Sequence, residues 1–489
     1  MVSEGAPSVS ICMSYPSIIQ GGMGVAVSNW RLARAVSQQG QLGVVSGTSL
    51  AVVHARLLQQ GDPGGHLRRA FAHFPWPAIA ERCWTNFYVC GGITDRESFR
   101  GVPMPTLDLN PRLVELTVLA NFAEVFLAKE GHAGAIGINL LEKIQLPNLP
   151  SLYGAMLAGV DAVLMGAGIP RAVPGVLDGL ARGDTVELRI DIEGAAADDP
   201  VAISRFDPRA YFPSPLPKVQ RPKFFAIVAS TALATTLARK SSGQVDGFVV
   251  EGNLAGGHNA PPRGPRQLTA EGEPVYGPRD AVDLPKIRQL GLPFWLAGAF
   301  NRPGKLAEAQ SYGAAGIQVG TAFALCEESG ILPDLKRRIK EWVVSGRARV
   351  RTDPLASPTG FPFKIAQLSQ TLSDATASAK RVKLCDLGYL RKLFKKPDGS
   401  VGYRCAGEPV ADYLRKDGML TDTVGRKCLC NGLMATVGLG QRTRAGEFEL
   451  PLVTAGDELT SLARYFDFTG KGFSAADVIR VLLGSEAKG

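Results

Sequence analysis

The sequence predicts an α/β fold, a closed (β/α)₈ barrel with helical insertions and a cysteine-bearing C-terminal extension. Three observations predict it. From residue 15 to about 325, short apolar runs alternate with amphipathic stretches; eight such runs can be counted; and the pattern ends near residue 330. Alternation of this kind is what successive β-α units around a parallel sheet produce, and eight units suggest closure into a barrel.

The expected strands are Ser17–Gln20, Gln41–Val45, Gly134–Leu140, Asp161–Met165, Phe224–Ala229, Gly247–Glu251, Pro293–Ala297 and Ala315–Val319. Most are continuous apolar runs, as expected when helices cover the sheet. Ser28 is placed to cap a helix over Asn29–Gln39 that Gly40 ends, and Pro303 to open one that runs to Tyr312 and stops at Gly313. Residues 49–131 read as a helical insertion. A Pro-rich, partly strand-like insertion at 185–222 precedes the fifth strand, and insertions of this kind commonly build lids or pockets. An amphipathic helix over Leu332–Ser345 leads into a turn-rich loop, Thr352–Pro362. A boundary is expected near residue 353, dividing a barrel at 1–353 from an extension at 354–489 whose role the pattern leaves open.

Composition narrows the class. With 45% hydrophobic and 20% charged residues and a mean hydropathy of +0.05, the chain is globular and wholesale disorder is excluded. The most apolar run, Phe224–Ala238, is interrupted by Ser230, Thr231, Thr235 and Thr236. At about 15 residues it falls short of the roughly 20 that a membrane span needs, so it reads as a strand entering a helix. Met1–Ser10 carries Glu4 and no basic segment before an apolar core, unlike a signal peptide. Eight cysteines in 489 residues are too sparse for a disulfide scaffold. A cytoplasmic protein is expected.

The formal net charge of +9 is local: residues 334–404 hold 16 Lys and Arg against 6 Asp and Glu. A solvated basic face is the ordinary meaning, with docking of an acidic carrier protein as the alternative. Nucleic acid is not expected, because few aromatics interleave the stretch and no recognised nucleic-acid motif accompanies it.

The strongest local signal is Glu251-Gly252-Asn253-Leu254-Ala255-Gly256-Gly257-His258 directly after a strand. Paired glycines let main chain approach a planar or phosphorylated ligand, and a histidine there can exchange protons near neutrality. Taken alone, the segment is equally a Gly-rich loop with a surface histidine. His54, His66, His73 and His132 follow no such strand end and read as structural. Ala297-Gly298-Ala299 and Gln318-Val319-Gly320-Thr321 close the last two strands with small residues. There, main-chain N–H groups can face a phosphate, the alternative being tight strand-to-helix packing. Gln20-Gly21-Gly22-Met23-Gly24 repeats the theme after the first strand. No dinucleotide fingerprint, P-loop, H-E-x-x-H or G-x-S-x-G occurs.

Together with Gly137-Ile138-Asn139-Leu140 and the run from Gly313 to Thr321, these segments resemble the nitronate monooxygenase family, formerly 2-nitropropane dioxygenases, over roughly residues 15–330. The resemblance implies FMN at the C-terminal mouth of the barrel, with His258 as catalytic base. It puts Gly298, Gly320 and Thr321 at the phosphate, and Gly22, Met23 and Asn139 against the flavin ring. Glu251 falls where the family has a polar flavin contact. Gly256, Gly257, Ala297, Ala299 and Gln318 complete the expected FMN-binding set. Two departures stand out: the histidine is followed by Asn259-Ala260-Pro261-Pro262-Arg263-Gly264, and the seventh strand ends Gly298-Ala299 where the family has Gly-Gly.

The implied activity is oxidation of small alkyl nitronates by O2 to a carbonyl compound and nitrite. Two alternatives stay open. The same barrel resembles flavin-dependent enoyl-thioester reductases that use NAD(P)H and carrier-bound acyl chains, and a non-catalytic flavin- or metal-binding module is the third reading. Cys385, Cys405, Cys428 and Cys430 supply enough thiolates for a zinc or iron–sulfur site. Their spacing lacks C-x₂-C, and buried reduced thiols packing as small apolar groups are the alternative, so no metal is expected.

Overall fold

The computed structural model describes residues 15–94, 96–265, 267–442, 446–466 and 472–484; Met1–Ser10 and Cys12 lie outside them. Eight parallel strands form the centre: β1 (Ile18–Gln20), β2 (Gly43–Ser46), β3 (Ile136–Leu141), β4 (Ala162–Gly166), β5 (Lys223–Val228), β6 (Gly247–Glu251), β7 (Phe294–Ala297) and β8 (Gly316–Val319). From β2 to β8 each pairs with the next, and β8 pairs with β1. A bridge between Ile19 and Leu42 closes the ring, with the Gln20 N–H donating to the Leu42 carbonyl at 3.0 Å and the Leu42 N–H to that of Ile18 at 3.1 Å. The chain is a (β/α)₈ barrel.

Alternate strand residues divide two cores, because successive side chains on a strand point to opposite faces. Ile19, Val44, Leu164, Phe225, Val249 and Trp295 fill the barrel. Ile18, Val45, Val163, Phe224 and Phe248 pack outward under the helices. Both faces are dry, and this is why the strands read as unbroken apolar runs. Full burial of one such side chain is worth about 1.5–3 kcal/mol.

The expected strand bounds hold to within a residue or two; the caps differ. Asn29, not Ser28, caps the helix Trp30–Gln38, its side chain accepting from Leu32 N–H at 3.1 Å. Ser28 is buried and spends its hydroxyl on the loop after β1. The later helix is Lys305–Ser311, with Gly304 as its cap instead of opening at Pro303. The run from Phe224 resolves as β5 followed by the helix Thr231–Lys240, which Ser230 caps.

The first insertion holds the helices Leu50–Gln59, His66–Phe71, Pro77–Phe87 and Pro111–Lys129. The second holds an antiparallel pair, Val186–Ile190 with Ala202–Phe206. The amphipathic helix is Pro333–Val344. Among the described residues, no helix is long and apolar enough to cross a membrane.

Residues beyond 350 lie across the C-terminal mouth of the barrel. The strands Val350–Asp353 and Phe363–Ala366 pair antiparallel, and the second pairs with Gly257–His258 of the loop after β6. The segment Thr454–Glu458 is tied to the same mouth: Gly456 N–H donates to Thr321 Oγ1 at 2.9 Å, and Asp457 N–H to the Leu254 carbonyl at 3.1 Å. Much of the local basic charge is paired internally. Arg381 pairs with Glu449, Lys364 with Asp457, Lys395 with Asp199 and Arg404 with Glu193.

Candidate active site

A cavity of about 230 Å³ opens at the carboxyl ends of the strands. In parallel α/β folds this is the end where functional groups gather, because each strand there hands over to a loop free to carry them.

On the floor, the chain after β1 is held by Gln20. Its buried amide donates to Ser28 Oγ at 2.9 Å and accepts from Val44 N–H at 3.0 Å. Ser28 Oγ in turn accepts from Met23 N–H at 3.0 Å and donates to the Gly21 carbonyl at 3.0 Å. This clamp lays Gly22 directly on Asn139, so closely that a Cβ at 22 would come within 2.3 Å of Asn139 Cβ. Asn139 donates to the Leu164 carbonyl at 3.1 Å and cannot swing away without losing that bond.

At the end of β7, Gly298 has φ +90° and Ala299 φ +66°. The alanine therefore sits in a left-handed conformation that costs an L-residue about 1–2 kcal/mol. Where the departure puts alanine for glycine, the backbone still takes a conformation that glycine would adopt without this cost.

The wall opposite carries the loop after β6. A Cβ at Gly256 would meet the main chain at Ala455 at 2.8 Å, so this glycine lets the extension close over the loop. Asn259, first residue of the departure after the histidine, is buried. It ties the loop down through Asn259 N–H to the Pro362 carbonyl at 2.9 Å and its amide to the Ala255 carbonyl at 3.1 Å.

His258 then stands with its ring edge-on to Phe363, centroids 4.7 Å apart, and Nε2 2.7 Å from Ser357 Oγ. Ser357 Oγ also meets Thr359 Oγ1 at 2.7 Å and accepts from Thr359 N–H at 3.2 Å. A seryl hydroxyl has one proton. With that proton on Thr359, Ser357 accepts from His258 Nε2–H, and Nδ1 is left as the basic nitrogen. No hydrogen bond among the described residues engages Nδ1.

Burial and then the charge of Lys143 hold the imidazole well below its usual pKa, keeping it neutral. Lys143 itself is lowered to about 7 by burial, against the opposing pull of Glu142. Its Nζ has no hydrogen-bond partner and lies 3.9 Å from the centre of the Phe361 ring. Burial pushes Glu251 up to about 7, so at neutral pH about half of its carboxyl is protonated and able to donate a hydrogen bond.

Every residue expected to bind flavin or act as base lines this one cavity: Gly22, Met23, Asn139, Glu251, Gly256, Gly257, His258, Ala297, Gly298, Ala299, Gln318, Gly320 and Thr321; of the four candidate cysteines only Cys430 does, and Cys385, Cys405 and Cys428 line a small separate cavity with it. The other histidines are occupied elsewhere. His54 Nε2 pairs with Glu124 at 2.9 Å, His66 packs on Trp30, His73 on Phe126, and His132 bonds the Ala128 carbonyl at 2.7 Å. Sequence reasoning missed the roof: Tyr389, Leu390, Cys430, Leu433 and Leu452 line the same cavity from the extension. It also missed Ser357 and Lys143, which lie in a turn-rich loop and just past β3 with no local pattern to mark them.

Residues 189–347, which contain β5 to β8 and the His258 loop, match the family model described as nitronate monooxygenase. This stretch is similar to the nitronate monooxygenase family. The match bears out the resemblance and supports a flavin-dependent oxidoreductase. It stops short of Gly22, Met23, Asn139 and the whole roof.

No curated protein matches the chain. Among solved structures, FabK from Thermotoga maritima is 15% identical, with 96% of this chain and 92% of that chain covered and a TM-score of 0.46. A nitroalkane oxidase from Streptomyces ansochromogenes is 14% identical, with 96% and 94% covered and a TM-score of 0.46. The enoyl reductase domain of MlnA from Bacillus amyloliquefaciens is 12% identical, with 74% and 66% covered and a TM-score of 0.37. At such values these likenesses carry no argument about activity.

Proposed function

We propose that the protein is an FMN-dependent oxidoreductase that oxidises small alkyl nitronates, or the nitroalkanes they derive from, with O2. The observation that carries this reading is an imidazole bonded through Nε2, with no hydrogen bond among the described residues at Nδ1, on the wall of a cavity lined by glycines at the strand ends.

The residues present fit FMN. Gly22 and Asn139 make a flat cradle that one added methyl group would fill, and Gln318 Oε1 is a buried acceptor without a partner on the cavity wall. Among the described residues no Lys or Arg lines the cavity, so the phosphate would be held by the N–H groups near Gly298 and Gly320 and by the Thr321 hydroxyl, which still has its proton to donate. Met23 and Asn139 would lie against the ring, and Glu251, protonated, would donate to its edge. Bound there, FMN supplies electron transfer between an organic substrate and dioxygen.

The chain's own residues handle the proton. Nδ1 of His258 takes it from the carbon next to the nitro group, and Ser357 holds the ring in the tautomer that can do so. Once protonated, the imidazolium holds the nitronate oxygens. The nearby charge of Lys143 disfavours a resting imidazolium and keeps the base available. Leu390, Leu433 and Leu452 of the roof exclude water and provide an apolar surface for a small alkyl group.

The test is a spectrum and two reactions. Purified protein is expected to be yellow, to release FMN and not FAD on denaturation, and to consume O2 with nitroethane or propionate 3-nitronate while forming nitrite. Rapid anaerobic bleaching by NADPH with no nitrite formation would instead make it an enoyl-thioester type reductase. Colourless protein that takes up no FMN would end the flavin reading altogether.

A further inference from the structure

Away from the barrel mouth, the extension and the insertion at 185–222 enclose a polar cavity of about 120 Å³. It forms where the extension's antiparallel pair, Lys392–Lys395 with Val401–Arg404, takes the insertion's short strand Ile192–Glu193 as a third member. At roughly 10–15 Å³ for each water, the space holds several waters or one anion of the size of phosphate or a short carboxylate.

Its charges are unevenly matched. Lys392, Arg404 and Arg426 line it with two carboxylates, Glu193 and Asp422. Glu193 is shared, Oε1 accepting from Arg404 Nη2 at 2.6 Å and Oε2 lying 3.5 Å from Lys392 Nζ. Arg404 is fixed on its other side: Nη1 donates to the carbonyls of Lys416 at 3.0 Å and Asp417 at 2.6 Å, and the guanidinium lies 4.3 Å from the centre of the Phe394 ring. Asp422 spends Oδ2 on neutral donors, the Tyr413 hydroxyl at 3.2 Å and Met419 N–H at 3.4 Å.

Arg426 is the cation left over. Its hydrogen bonds all go to main-chain carbonyls, Nε to Asp422 at 3.1 Å and Nη1 to Leu355 at 2.8 Å and Ser357 at 2.6 Å. Among the described residues no carboxylate pairs with it, and no hydrogen bond engages Nη2. A half-buried guanidinium bonded only to carbonyls keeps its charge uncompensated, and its remaining N–H groups match an oxyanion.

The same residue reaches the active site. Ser357, whose carbonyl Arg426 holds, carries the hydroxyl 2.7 Å from His258 Nε2. Pro358 and Gly360 of the same loop line the polar cavity, and Leu390 stands in the walls of both cavities. An anion on Arg426 therefore adjoins, from behind, the loop that orients the imidazole.

We propose that this cavity binds one small oxyanion, a phosphate or a carboxylate, through Arg426 with Lys392 assisting, and that the bound anion braces the loop holding His258. The site stands without the flavin reading; only the consequence for a catalytic base rests on it.

Calorimetric titration of the full chain with sodium phosphate, and separately with sodium propionate, at constant ionic strength is expected to show saturable binding of at least one. Which of them binds identifies the oxyanion. Sodium chloride, of the same charge but without paired oxygens, should give none. Arg426→Gln should weaken binding about tenfold or more, the worth of one charge-assisted hydrogen bond, and Lys392→Gln about threefold, as for an exposed charge. Saturation should slow amide hydrogen exchange over residues 355–362 in the parent protein. If Arg426→Gln proves insoluble, Lys392→Gln and the exchange measurement decide. Absence of saturable binding, or binding that survives Arg426→Gln, as it would at a phosphate site in the barrel mouth, would overturn the proposal. Binding with unchanged exchange at 355–362 would overturn the link to His258. Flavin content, measured on the same samples, tells failure of this site from failure of the other.

Discussion

Below the cavity the barrel offers main chain, and above it the extension offers side chains. On the floor, Gly22, Gly298 and Gly320 stand where β1, β7 and β8 end, and space or backbone geometry forbids larger residues at the first two. In the roof, Tyr389, Leu390, Leu433 and Leu452 reach in from a chain segment with no periodic relation to the barrel. A surface of bare amides recognises what all its ligands share, a flat ring or a phosphate; a surface of side chains recognises what differs between them. The floor should therefore fix the cofactor and the roof the substrate, with His258 at the seam.

The sharpest way to break this division is at the seam. His258→Asn keeps the loop's shape and should leave FMN per chain unchanged. Nitroalkane turnover should fall by about 10² to 10⁴-fold, the usual worth of a positioned base. Stopped-flow rates beside flavin stoichiometry check it, and a rate within threefold of the parent would take the histidine out of the chemistry.

The next largest effect concerns Glu251, the floor's one ionisable group. Its folded-state pKa is raised to about 7 from an ordinary 4.5, so the unfolded chain gives up its proton first as pH rises. Stability is then complete below about pH 4.5 and declines through about pH 7, by at most about 3 kcal/mol. Urea unfolding of flavin-free protein across that range should show the parent losing stability relative to Glu251→Gln. Parallel curves would mean that the carboxylate is solvated after all.

A roof residue comes third. Ser357→Ala removes the bond that fixes the imidazole tautomer, and kcat should fall about tenfold, at the low end of what lost ligand-orienting bonds cost in comparable sites. The acid limb of the pH profile should move downward, because the imidazolium is the stronger Nε2–H donor and loses its acceptor. FMN content should not change, because Ser357 touches the base and not the floor. Loss of flavin together with activity would erase the distinction between floor and roof.

How far the sequence disclosed each surface follows from the same difference. The strands were legible because both of their faces are dry, so Phe224 and Phe225, or Phe248 and Val249, are equally apolar although they point to opposite cores. The floor was legible because bare main chain demands small residues at the strand ends. Ser28 was misread because a hydroxyl next to a helix start looks like a cap, and only the fold shows it turned back onto Gly21. Ser357 meets His258 across 99 positions of chain, and Lys143 comes near it from β3; a serine in a turn and a lysine after a glutamate have no local signature. Cys385, Cys405, Cys428 and Cys430 could be named from the sequence, but that they line one small internal cavity is the work of the tertiary fold and not of C-x₂-C spacing.

The smallest effect tests the floor where it departs from its family. Ala299 adopts φ +66°, a conformation for which glycine carries no Cβ penalty. If the turn is what the site requires, Ala299→Gly should relieve strain of about 1–2 kcal/mol. The greater freedom of glycine in the unfolded chain takes back about half, leaving a net gain of about 0.5–1 kcal/mol. Denaturant midpoints measured with and without FMN should rise together, since the turn is the same whether or not a ligand rests on it. A midpoint that falls in both conditions would show that the alanine is held by contacts of its methyl group, and that the floor at this strand end is made by a side chain and not by main chain.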